Sequence, residues 1–261
     1  MRHTFTFLLY CLIIAGCGEQ DPPPDREGAA TDPTIYARAV ANASRPAADF
    51  ERDEGRKPGS VLEFFGIAPG MTVLDMFSGG GYYAELLSYL VGPEGRVVAH
   101  TNEAYARFVG DETDARYGDD RLPNVEVLYA ENNELELVAG EFDAILMILA
   151  YHDIYYVSPN NGWPKIDGPG LMAELYEGLK PGGILGIVDH YAAAGSPRDT
   201  GNTLHRIDPE IVISEVEAAG FVLEAKSDVL RNMDDDYSVS MSAPEVRGRT
   251  DRFVLRFRKP E

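Results

Sequence analysis

The chain has 261 residues, 44% of them hydrophobic and 25% charged, with a formal net charge of −20. That composition excludes a disordered polymer and leaves room for one large globular domain. The acidity repels nucleic acid phosphates, and no basic stripe with interleaved aromatics offsets it, so nucleic acid is not an expected partner and the charge reads as solubility.

In chain order, Arg2 and His3 precede a short apolar run from Phe5 to Ile14 and then Ala15-Gly16-Cys17. The run is too short to span a bilayer as a helix, so residues 1–16 are read as a signal segment. The segment Leu12-Ile13-Ile14-Ala15-Gly16-Cys17 resembles a bacterial lipoprotein signal, which implies a lipid on Cys17 as the new N-terminus; an ordinary secretory signal is the alternative. The expected location is then the cell envelope, on the periplasmic side, with Gly18 after the cysteine fitting an outer membrane in a Gram-negative source. The only contact with membrane would be through Cys17. Cys11 leaves with the signal, so thiol catalysis, disulfides and cysteine-bound zinc are excluded from the mature domain. Residues 17–33, polar and proline-rich, read as a disordered tether, and 34–261 as the folded domain.

Within that domain, apolar spacing predicts helices over Thr34–Ala43 and Pro58–Phe65, the second stopped by Gly66. Strands and helices then alternate, which predicts an α/β fold with a doubly wound, mostly parallel sheet of seven strands. The strands are expected at Thr72–Met76, Arg96–His100, Val125–Tyr129, Phe142–Leu149, Ile184–Asp189, Phe221–Asp228 and Phe253–Arg258. Helices are expected at Tyr83–Val91, Glu103–Val109, Gly170–Gly178 and Pro209–Ala219, and a polar loop from Met233 to Arg249.

The first strand ends in a carboxylate and a glycine cluster, Asp75-Met76-Phe77-Ser78-Gly79-Gly80-Gly81-Tyr82, before a helical pattern. Such a turn lets backbone approach a ligand closely and offers it helix N-terminal N–H groups. Read as D-x-x-x-G-x-G from Asp75 through Gly79 to Gly81, it resembles the first motif of class I S-adenosylmethionine-dependent methyltransferases. Glu141-Phe142-Asp143-Ala144-Ile145-Leu146-Met147 and Leu179-Lys180-Pro181-Gly182-Gly183-Ile184-Leu185 resemble the fourth strand and the turn into the fifth. From about Ile35 onward, with Arg52-Asp53, Arg56-Lys57-Pro58, Tyr151-His152-Asp153, Asp189-His190 and Leu204-His205-Arg206, the chain resembles a bacterial group of such enzymes of undefined substrate.

The resemblance implies a Rossmann-like methyltransferase fold with the seventh strand antiparallel between the fifth and sixth. It implies S-adenosylmethionine as cofactor, held by Asp75, Gly79, Gly81 and Tyr82. Asn102 or Glu103 would stand in for the usual ribose-binding acid, and Glu131 and Asn132 would lie where adenine is read. Asn102 can accept a hydroxyl hydrogen and Glu103 can accept two, though Glu103 also suits the first turn of a helix and Asn132-Asn133 also suits a plain turn.

Ligands of open α/β sheets bind at the carboxyl ends of the strands. His152 and Asp153 follow the fourth strand, and Asp189 and His190 end the fifth, so both pairs are candidate catalytic residues. Either His152 or His190 is the expected base, with Asp153 or Asp189 orienting or stabilising the ring; capping of strand ends is the other reading. A divalent ion on Asp153, Asp189 and His190 is the variant suggested by metal-dependent catechol-type O-methyltransferases, and no metal is assigned. The segment Ile154–Asp167, with Trp163, Tyr155 and Tyr156, forms either an acceptor pocket or lid, or packing against the domain. The expected activity is methyl transfer to a small molecule, since the Asn/Asp-Pro-Pro-Tyr/Phe motif of amino-methylating enzymes is missing. A tethered, non-catalytic protein binding a nucleoside-like ligand is the alternative.

Overall fold

A computed structural model describes residues 34–261. The signal segment at 1–16 and the tether at 17–33 lie outside the described residues. The described chain carries α1 (Thr34–Val40), α2 (Ala47–Arg56), α3 (Pro58–Phe65), β1 (Thr72–Met76), α4 (Tyr82–Val91), β2 (Arg96–Thr101), α5 (Glu103–Val109) and α6 (Glu112–Tyr117). It continues with β3 (Val125–Tyr129), β4 (Phe142–Ile148), α7 (Gly168–Gly178), β5 (Leu179–His190), α8 (Thr200–Leu204), α9 (Pro209–Ala218), β6 (Val222–Ser227) and β7 (Arg252–Arg258).

The strands form one seven-stranded sheet in the order β3-β2-β1-β4-β5-β7-β6. Strands β1 to β5 are parallel, and β7 runs antiparallel to both β5 and β6. The central strands are apolar without alternation because both of their faces are covered. Leu74, Met76, Ile145, Met147, Leu185 and Ile187 pack on one side with Leu171 and Leu175 of α7 and Val212 and Val216 of α9. Val73, Ala144, Leu146 and Val188 pack on the other with Tyr36 of α1, Leu62 and Phe65 of α3 and Leu86 and Leu87 of α4. The edge strands β3 and β6 are largely exposed or half-buried, as their mixed sequences require.

Two departures from the expected elements have physical causes. Strand β5 begins at Leu179, where Leu179 pairs with Phe142, and a register shift between Phe142 and Ala144 absorbs the Pro181-Gly182-Gly183 turn before regular pairing resumes at Ile184. Helix α2, AADFERDEGR, has no apolar stripe; its one buried residue is Asp49. Asp49 pairs with Arg116 of α6 at 2.8 Å, and Arg116 also bonds Glu85 of α4. Charge pairing therefore docks the polar helix α2 over the glycine turn, where hydrophobic periodicity gives no signal.

Candidate active site

The parallel register brings the ends of β1, β2, β4 and β5 to one rim. At the end of β1 the backbone turns sharply: Phe77, Gly79 and Gly81 have φ of 58°, 57° and 77°. Two of these positions are glycines, which take that conformation freely, but Phe77 is an aromatic residue held there against its preference. His100 of β2, fully buried, holds it. The Phe77 N–H donates to His100 Nδ1 at 3.4 Å, His100 Nε2 donates to the Ala130 carbonyl at 3.0 Å, and the Ser78 N–H donates to the His100 carbonyl at 2.9 Å. Only a neutral imidazole with the proton on Nε2 satisfies both ring contacts. Burial keeps it so, lowering its pKa to about 4.

Asp75 is buried, and its Oδ2 has no hydrogen-bond partner among the described residues. Burial pushes its carboxyl up to about 7. The buried Asn132 Nδ2 is likewise unpaired, whereas the Ser78 hydroxyl and the Ala84 N–H serve the Asp75 carboxyl. A carboxylate oxygen and an amide left unsatisfied around the ends of β1 and β3 suit a ligand with an ammonium and a polar nucleoside, so the chain fits S-adenosylmethionine here. The space at Gly80 and Gly81 serves the protein as well: an added Cβ would lie 2.2 Å from Glu112 Oε2 and from the Tyr117 hydroxyl respectively.

The other expected cofactor residues are placed as follows. Asn102 caps α5, its Oδ1 accepting from the Tyr105 N–H at 2.8 Å, while its Nδ2 donates to Asn132 Oδ1 at 2.9 Å. Glu103 is exposed in the first turn of α5, and its N–H donates to Glu131 Oε1 at 3.1 Å. The structure thus joins Asn102 with Asn132 and Glu103 with Glu131. Tyr82 is buried, its hydroxyl donating to Asp53 and its ring lying under the guanidinium groups of Arg52 and Arg56 at 4.8 and 4.7 Å.

At the ends of β4 and β5, a short helical turn over Tyr151–Ile154 carries His152 and Asp153. Asp189 organises the rim: its Oδ1 accepts from His152 Nδ1 at 2.8 Å and from the His190 N–H at 2.7 Å, and its Oδ2 accepts from the His152 N–H at 2.7 Å. His152 Nε2 then faces Asp153 Oδ1 at 3.4 Å. Burial alone would lower the His152 pKa, but the carboxylates of Asp189 and Asp153 more than offset it and raise it to about 9. Burial, reinforced by Arg252, drives His190 well below its ordinary value, and its Nδ1 is hydrogen-bonded with the Thr250 hydroxyl at 2.6 Å. The two histidines are therefore distinct: His152 is set between carboxylates and His190 is a neutral ring among cations.

His205, outside the expected catalytic set, completes this group, with Nδ1 3.6 Å from Asp153 Oδ1. It caps α8 with φ of 51°, and α8 packs on the Tyr151–Ile154 turn because Gly201 permits it; a Cβ there would lie 2.6 Å from the His152 carbonyl oxygen. Asp153 Oδ2 accepts from the Tyr105 hydroxyl at 2.6 Å, and the Asp153 carbonyl accepts from Trp163 Nε1 at 3.2 Å. Trp163 is buried against Phe77, Tyr105 and Tyr156, so it packs its loop onto the domain while linking the glycine turn to the histidines. A cleft of about 930 Å³ lies beside this loop, lined by Tyr155, Asp167, Met172 and Arg198, and includes neither the glycine turn nor the histidines.

The family of protein-L-isoaspartate(D-aspartate) O-methyltransferases matches residues 57–150. No curated protein sequence matches the chain. Among solved structures it is similar to an S-adenosylmethionine-dependent methyltransferase from Aquifex aeolicus, with a TM-score of 0.57 and 25% identity over 87% of this chain and 98% of that one. It is also similar to an arsenic(III) S-adenosylmethionine methyltransferase from Chlamydomonas reinhardtii, with a TM-score of 0.52 and 18% identity over 88% of this chain and 75% of that one. A third similarity is to phosphoethanolamine N-methyltransferase 2 from Haemonchus contortus, solved with S-adenosyl-L-methionine, with a TM-score of 0.55 and 13% identity over 87% of this chain and 60% of that one. Sheet order, glycine turn and these likenesses agree: the chain has the Rossmann-like fold of class I S-adenosylmethionine-dependent methyltransferases.

Proposed function

We propose that the protein transfers the methyl group of S-adenosylmethionine to a small-molecule acceptor. The observation that carries this reading is the buried Asp75 carboxylate, its Oδ2 unpaired, at a left-handed turn on the same rim as His152 and Asp153. Asp75 would take the cofactor's ammonium, Asn132 its polar groups, and Gly79, Gly81 and Tyr82 the shape of the turn. Bound there, the cofactor supplies a methyl group on a sulfonium, open to in-line attack. Rate would come chiefly from alignment of acceptor and donor, with Asp153, His205 and, once deprotonated toward pH 9, His152 activating the acceptor's O–H or N–H and Asp189 fixing His152. His190, neutral and engaged with Thr250, is assigned a positioning role beside them.

The test is turnover with S-adenosylmethionine against a panel of small hydroxyl- and amine-bearing acceptors, read as S-adenosylhomocysteine formed. His152→Ala and Asp153→Asn are expected to keep cofactor binding and lose about 10²–10⁴-fold in rate, the usual contribution of acid–base groups. Equal turnover in both variants would overturn the assignment. Cofactor binding with no turnover on any acceptor would instead favour the non-catalytic binding protein. The protein is further proposed to sit in the cell envelope through a lipid on Cys17. Metabolic labelling with a radioactive fatty acid tests this, label being expected in the wild type and lost in Cys17→Ser.

A further inference from the structure

We propose that His152, Asp153 and His205 bind a divalent transition-metal ion, with zinc the first choice, next to the methyl-transfer rim. The ligand atoms are His152 Nε2, Asp153 Oδ1 and His205 Nδ1, which all lie within 4.8 Å of one another. The carboxylate oxygen is 3.4 Å from one imidazole nitrogen and 3.6 Å from the other. Nitrogen and oxygen ligands about 2.0–2.1 Å from a tetrahedral ion stand roughly 3.3 Å apart, so both carboxylate contacts already have that spacing and the two imidazoles, within 4.8 Å of each other, close the site by drawing together.

The surroundings match what a metal requires of its outer partners. A metal-bound histidine generally gives its other ring N–H to a carboxylate, and His152 Nδ1 lies 2.8 Å from Asp189 Oδ1. The ligating carboxylate is itself held, with Tyr105 donating to Asp153 Oδ2 at 2.6 Å. Once the ion displaces the proton from His152 Nε2 into solvent, two imidazoles with one carboxylate leave a fourth position for a water or an acceptor heteroatom, as catalytic zinc sites do. Asp153 and Asp189 together bring two negative charges into a buried place, and one divalent cation neutralises both. His205 keeps about a third of its side chain exposed, 30%, which leaves a way in for the ion. Two imidazoles favour zinc, iron or cobalt over magnesium, which prefers oxygen.

This set differs from the Asp153, Asp189 and His190 set suggested by sequence. Asp189 points both oxygens at His152 and His190 backbone and ring groups, and His190 Nδ1 is taken by Thr250. If an acceptor hydroxyl occupied the fourth position, the ion would favour its deprotonated form and the O–H bond would lose its proton to solvent or a nearby base before attack on the methyl.

The test is titration of the chelator-treated full chain with cobalt(II), read by ligand-field absorption, and with zinc(II), read by calorimetry. One equivalent with tetrahedral cobalt bands is expected in the wild type. His205→Ala and Asp153→Asn should abolish the bands, and Asp189→Asn should weaken zinc about 10–100-fold through the outer contact, with circular dichroism confirming that each variant is folded. A folded wild type that binds neither ion, or a His205→Ala variant that binds zinc as tightly as the wild type, would overturn the site. The inference rests on the geometry of the cluster alone. S-adenosylmethionine titrated into the same chelated samples reports separately on cofactor binding, and turnover on methyl transfer, so the failure of either reading leaves the other standing.

Discussion

At the residue scale, two buried titratable groups set the pH behaviour of the cofactor turn. A ligand ammonium pairs with the ionised form of Asp75, whose carboxyl is held up to about 7 by burial. Below that value the proton must be lost before pairing, so affinity for S-adenosylmethionine should drop roughly tenfold between about pH 8 and pH 6. Asp75→Asn should bind about thirtyfold more weakly, the worth of roughly 2 kcal/mol for a charged hydrogen bond, with no such pH dependence. Calorimetry across pH on both proteins checks this. His100 carries the opposite kind of information. Its pKa is lowered to about 4 in the folded chain, while an unfolded histidine titrates near 6.5. Between those values the unfolded chain binds more protons, so folding stability is full above the upper value and falls as pH drops through the window, by up to about 3 kcal/mol. Urea unfolding in that window should be markedly flatter with pH in His100→Gln than in the wild type.

At the element scale, the small polar helices tie the site together. Gly201 lets α8 press on the Tyr151–Ile154 turn and so delivers His205 to Asp153. Gly201→Ala should destabilise the fold by about 1–3 kcal/mol, as overpacking does, and should lose more activity than that loss of stability accounts for. Thermal unfolding and turnover at a temperature where the variant is folded separate the two effects. Helix α2 carries a buried ion pair, Asp49 with Arg116, both about as hidden as core residues. Asp49→Ala leaves the guanidinium on Glu85, which it shares with Arg121, and should cost about 1–3 kcal/mol by urea unfolding, the worth of a lost charged hydrogen-bond partner in a buried place. These helices were the least legible parts of the chain. Strands β1 and β3 and helices α3 and α5 run where apolar spacing places them, because buried faces and capping residues leave a local mark. Helices α2, α6 and α8 are short or polar and are fixed by partners far along the chain, which no local pattern encodes.

At the scale of the whole molecule, the mostly parallel sheet was legible in the alternation of strands and helices, and the antiparallel β7 enters between β5 and β6 as the family resemblance implied. The rim was legible to the extent that it depends on strand ends: Asp75, His152, Asp153, Asp189 and His190 all lie at the carboxyl ends of their strands or just past them. Division of labour among them was not legible. That Asp189 serves His152, that His190 is neutral and committed to Thr250, and that His205 returns to Asp153 from another loop depend on long-range packing. His100 sits two residues before the expected ribose position at Asn102, and its buried place in a strand was the signal of its role in the turn. The central claim is that this turn binds S-adenosylmethionine for methyl transfer. Calorimetric titration of the wild type and Asp75→Asn with S-adenosylmethionine and S-adenosylhomocysteine tests it most directly. The expected result is micromolar, stoichiometric binding of both by the wild type and clear weakening in the variant; a folded wild type that binds neither would contradict it.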